Sequence, residues 1–163
     1  MSTESQSLTT GASRNWIKWL VVTLVLAVIA FLASPNGPLG GFWRPSADFP
    51  QPTDAQLPLF ILLNVAEALA FGFGISFLIF GYPLMQTILP ASKGLTLAAH
   101  LSIAWLLASW WPHDSLHVAN GLNLNGLLVI EYAFHVTLMV TGAILVYYFL
   151  ALVRQRANAV AVT

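Results

Sequence analysis

Four histidines and six carboxylates sit in a chain with little other charge, and their spacing sets the chemistry available. Glu131 and His135 are four apart, so on a helix they stack on one face. Asn64 and Glu67, three apart, do the same. His113 and His117 form an H-x-x-x-H pair with Asp114 beside them, a set that binds a divalent metal once a further ligand approaches. His100 stands alone. Cysteine is absent, which removes thiolate zinc, iron–sulfur clusters, blue copper and disulfides together. Any metal must be held by His, Glu, Asp, Asn or Met.

These residues are carried on elements made for lipid. Of 163 residues, 58% are hydrophobic and 7% charged, against about a quarter charged in soluble domains. Six Lys/Arg balance six Asp/Glu, so no basic face exists for nucleic acid. Glycine-rich phosphate loops, H-E-x-x-H and nucleophile elbows are missing. Membrane di-iron hydroxylases use H-x-x-x-H elements too, but they need about eight histidines, and four are present.

A helix needs about 20 mostly apolar residues to cross the hydrocarbon core. Four stretches meet this, at about 16–33, 58–81, 94–111 and 126–153. Ser34-Pro35-Asn36-Gly37-Pro38 stops the first, Tyr82-Pro83 ends or kinks the second with Pro90 closing its apolar tail, and Pro112 stops the third. The expectation is an all-α integral membrane four-helix bundle forming one domain, with flexible tails at 1–14 and 157–163. Residues 34–57 make one long extracytoplasmic loop, and 112–120 a short interfacial helix with Pro112 in its first turn and Asn120-Gly121 at its end. Trp110 and Trp111 then read as interfacial anchors. Arg14, Lys18, Lys93, Arg154 and Arg156 fall at one end and only Arg44 at the other, which places both termini in the cytoplasm of a bacterial inner membrane. Residues 14–30 also fit a secretory leader with Val28 and Ala30 at the cleavage positions. The uninterrupted run from Trp19 to Ala33 is long for a leader core and favours an uncleaved anchor.

Small residues four apart let membrane helices approach closely. The second span has two such rows, Ala66/Ala70/Gly74 and Ala68/Gly72/Ser76, and reads as the central helix. Polar groups at membrane depth cost about 3 kcal/mol or more and so pair or serve a function. Counted at about 1.5 Å per residue, Glu67, His100 and His135 each lie roughly 14–16 Å inside their span ends, near one plane, with Glu131 one turn above His135. That convergence predicts an intramembrane site for a redox cofactor or metal. His100 and His135 are the candidate axial ligands of a haem or chlorophyll-type pigment, and Glu67, His100, Glu131 and His135 the candidate ligands of a metal ion. His113, Asp114 and His117 form a separate outer-surface metal candidate. Such a chain would work in a membrane electron-transfer assembly, with the lipid bilayer and other membrane subunits as partners. Two further readings stay open: a non-catalytic accessory subunit whose polar residues glue helices, and a proton or ion pathway along the carboxylates.

Overall fold

The computed structural model describes residues 3–89 and 92–161, with side chains described from Trp16 to Asn158 apart from Pro90 and Ala91. The stop assigned to Pro90 lies outside the described residues. Those that are described form helices and loops without strands: α1 (Thr3–Ala33), α2 (Leu57–Phe80), α3 (Tyr82–Ile88), α4 (Lys93–Ala108), α5 (Trp110–Asn120), α6 (Leu124–Ile130) and α7 (Thr137–Ala161). A π-helical turn, Glu131–Val136, joins α6 to α7, so 124–161 runs as one helix. Three segments are each long and apolar enough to cross a membrane: Trp16–Ala33, Leu57–Phe80 and Leu124–Asn158. The α4–α5 pair becomes a fourth if its two bent halves are counted together.

The third apolar stretch is broken by a bend. α4 and α5 meet at 45° across Ser109. Pro112 lacks the N–H that would bond the Ala108 carbonyl, and its ring crowds that turn, so α4 ends at Ala108 and α5 leaves it at an angle. The polar stretch after Pro112 therefore continues the third element with His113 and Ser115 buried. Trp111 accordingly packs among Phe71 and Trp43, with ring centroids 4.8 and 5.4 Å away.

The helices neighbour one another in chain order, α1 against α2, α2 against α4, and α4 against α7. The small-residue rows of α2 divide between two partners. A Cβ on Gly72 would collide with the Thr23 carbonyl oxygen and lie 2.9 Å from the Ala27 nitrogen, so this row sits on the backbone of α1. Beside it the Thr23 hydroxyl donates to Ser76 Oγ at 2.9 Å. A Cβ on Gly74 would instead lie 2.8 Å from the Ala108 nitrogen, at the top of α4. Glycine gains these approaches by dispersion between backbones, the main attraction left to helices in lipid.

The 34–56 loop is tied down over one end of the bundle. Trp43 Nε1 donates to the Ala33 carbonyl at 2.7 Å, and the Ser46 amide to the Val118 carbonyl at 3.0 Å. Asp48 accepts from Ser46 Oγ and, through Oδ2, from the Leu122 amide at 3.2 Å. Those two donors hold the Asp48 carboxyl below its ordinary pKa. The turn beneath needs Gly121, whose φ of 57° and contact with Asp48 exclude a side chain.

Candidate functional site

Two i, i+4 pairs face each other across the α5–α6 turn. On α5, His113 and His117 approach with Nε2 to Nε2 at 3.1 Å and ring centroids 4.6 Å apart. On the π-helical turn, Glu131 hydrogen-bonds through Oε2 to Nδ1 of His135. The His135 ring lies 5.0 Å from that of His113, which closes the two pairs into one cluster. The wider turn is the local reason for this aim: a π turn inserts an extra residue and re-directs side chains. Phe134, buried between them, stacks on Trp105 at 5.7 Å and touches the His113 ring at 5.2 Å.

The tautomers follow from the bonds. His113 Nδ1 donates to Asp114 Oδ1 at 2.7 Å, and His135 Nδ1 donates to Glu131. Each of these two imidazoles thus carries a carboxylate on Nδ1 and turns Nε2 away from it, the orientation by which outer carboxylates prepare histidines as metal ligands. With its Nδ1 donating to Asp114, His113 accepts at Nε2 from the His117 Nε2–H at 3.1 Å.

A pocket opens on the other side of His117. Its volume is about 180 Å³, with loop prolines 35, 45, 50 and 52 and the rings of Phe49 and Phe60 as walls. Asn64, Glu67, Asp114 and His117 converge at its polar end. The Glu67 carboxyl faces that of Asp114, and Glu67 and Asn64 are 8% and 9% exposed.

His100 does not join them. It is 3% exposed beside Phe77 and Tyr82, at ring-centroid distances of 5.0 and 5.5 Å, and bonds through Nε2 to the Leu78 carbonyl at 3.2 Å. Thirteen residues, roughly 20 Å along the helix before the bend, separate it from His113. His100 thus stands apart from His113, while the outer-surface candidates His113, Asp114 and His117 come together with Glu131, His135 and Glu67.

Sequence offered a signal for the observed set. His113 and His135 stand eleven residues either side of Leu124, and His117 and Glu131 stand seven either side. Residues equidistant from the turn of an antiparallel helix pair lie at equal height, so the two pairs were bound to meet if 112–120 stayed in the bundle.

Among the described residues, no group of three or more His, Asp and Glu side chains is arranged, as it stands, to hold a metal ion. No family model, curated protein or solved structure matches the chain.

Proposed function

We propose that this chain is a small membrane subunit that binds a divalent transition-metal ion between His113 and His117, with His135 as the third imidazole, as part of a larger membrane electron-transfer assembly. The observation that supports it most directly is the 3.1 Å separation of two Nε2 atoms, one of them on an imidazole already held by a carboxylate. Two nitrogens bound to one tetrahedral ion at about 2.0–2.1 Å lie roughly 3.3 Å apart, so the pair needs almost no movement. His135 needs more, and its side chain is 44% exposed, which leaves the ring free to turn. Imidazole suits zinc, copper, iron and nickel, with copper(II) the tightest of the divalent series. His100 and His135, the candidate haem or pigment ligands, each pack against another ring, Phe77 and His113 respectively, so the imidazole cluster at His113 is the better supported site.

The Glu131–His135 pair supports the assembly part. Its side chains are 48% and 44% exposed at membrane depth, where polar groups face protein or water rather than lipid. With the arginines and lysines placed as in the sequence, the cluster lies toward the extracytoplasmic side.

Full-length protein in detergent, stripped with chelator and titrated with Co²⁺ or Cu²⁺, tests the reading. One ion per chain is expected, with ligand-field bands of nitrogen coordination that vanish in His113→Ala and His117→Ala but persist in His100→Ala. Absence of stoichiometric binding overturns it. The chain of hydrogen bonds through Asp114, His113 and His117 favours proton conduction as the second reading, and pH-driven flux in proteoliposomes that Glu67→Gln abolishes would select it.

A further inference from the structure

The pocket beneath the proline-rich loop is not used by the metal reading, and its walls describe a different ligand. A second hollow of about 300 Å³ runs along the start of α2 and shares Phe60 and Leu63 with the pocket. Its walls face outward: Leu59, Phe60 and Leu63 are 67%, 41% and 46% exposed, on a segment long and apolar enough to cross a membrane. The pocket thus has a lateral passage toward lipid. We infer that it binds the head of a membrane-soluble hydroquinone, one aromatic ring with two hydroxyl donors, whose hydrocarbon tail leaves past Phe60 and Leu63 along the outer hollow. The inference is independent of the metal reading.

Size, polarity and access carry it together. An apolar cavity of about 150 Å³ takes a benzene ring. The pocket, at about 180 Å³, takes one ring with small substituents, and Phe49, Phe60 and the loop prolines give it apolar faces to pack on. The inner end accepts hydrogen bonds. His113 spends its Nδ1–H on Asp114 and receives the Nε2–H of His117, so Nδ1 of His117 holds a lone pair on a ring that lines the pocket. Glu67 and Asp114, hydrogen-bonded to one another, add carboxyl oxygens there. Asn36 and Gln51 line the pocket from the loop, so a ring with hydroxyls at opposite positions meets polar groups on both sides. Neither Lys nor Arg lines it, and a phosphate headgroup would therefore face carboxyls without a counter-charge. A neutral donor on a hydrocarbon tail is the head that fits. The rim is preformed, since four prolines stiffen it and Trp43, Ser46 and Asp48 tie the loop to the bundle.

The test is saturable binding of tritiated decylhydroquinone to metal-free, full-length protein in detergent under argon, read by scintillation proximity. One ligand per chain is expected. The dimethyl ether of the same compound keeps ring and tail but loses both donors, and should compete about tenfold or more weakly. Dodecyl phosphate, an anionic head on a similar tail, should not displace the ligand. Leu63→Trp, at an exposed position, fills the passage between the two hollows and should weaken binding about tenfold or more while helix content stays the same. The ether comparison uses unaltered protein and decides the question if Leu63→Trp does not fold. The inference is overturned by absence of saturable binding to unaltered protein, by an ether that competes as well as the hydroquinone, or by displacement with dodecyl phosphate. Folded Leu63→Trp that binds with unaltered affinity overturns it too.

Discussion

Replacing Gly72 with alanine should destabilise the protein, while the same replacement at Gly142 should not. In a helix, alanine gains about 0.8–1.0 kcal/mol over glycine from backbone entropy, wherever the new methyl finds space. At Gly142 nothing lies within 4 Å of the added Cβ, so that gain is kept whole. At Gly72 the Cβ meets the Thr23 carbonyl oxygen and sits 2.9 Å from the Ala27 nitrogen. Both are backbone atoms of α1, and no rotamer change removes them. The helices must separate, at an overpacking cost of about 1–3 kcal/mol. Separation also stretches the 2.9 Å bond from Thr23 to Ser76, worth about 0.5–1.5 kcal/mol. The net is a loss of about 1–3 kcal/mol against a gain of up to about 1 kcal/mol at Gly142. Unfolding in mixed micelles can be followed by tryptophan fluorescence, because Trp19 sits in this contact with Phe73, Phe77 and Phe80 at about 6 Å. Equal stability of the two variants would refute the assignment of Gly72 to a backbone-to-backbone contact.

Other outcomes follow from the same geometry. Asn123→Ala removes the side-chain cap that accepts from the amides of Asn125 and Gly126 at 3.1 and 3.3 Å, and should cost about 1 kcal/mol in the same unfolding assay. The Asp48 tether should weaken with acid. Its folded pKa is lowered, so its contribution is complete above the ordinary carboxylate range and is lost as pH falls through the folded value. Amide exchange at Leu122 should accelerate over that window, and Asp48→Asn should show the fast rate already at neutral pH. His100→Leu should leave metal stoichiometry unchanged, since the ring packs on Phe77 and Tyr82 and bonds to the Leu78 carbonyl, away from His113. An altered ion count in that variant would contradict the placement.

The membrane segments were readable because length and apolarity are local properties: the expected 58–81 and 16–33 match Leu57–Phe80 and Trp16–Ala33 within a residue. The packing role of α2 was readable too, since small residues four apart share a face whatever the partner. The site was read only in its pairs. Glu131 with His135, and His113 with His117, follow from helical spacing alone. Joining them required knowing whether Pro112 ends a helix or bends it, and a proline does either according to what waits for the residues beyond it. Here Phe71, Trp43 and Phe134 wait for Trp111 and His113, and that tertiary context has no signature in the local sequence.

The π-helical turn at Glu131–Val136 makes the cluster depend on a length as much as on residue types. Deleting any one exposed residue within the turn, Tyr132 for example, lets the helix relax to ordinary α geometry. Every side chain on one side of the deletion then swings about 100° around the axis relative to the other side. Glu131 and His135 would then stand three apart instead of four, with the imidazole re-aimed against His113 although no residue of the cluster is changed. A chain descended from this one could thus silence its site by losing a single codon while keeping every histidine, and a survey that counts ligands without counting spacing would score it as intact.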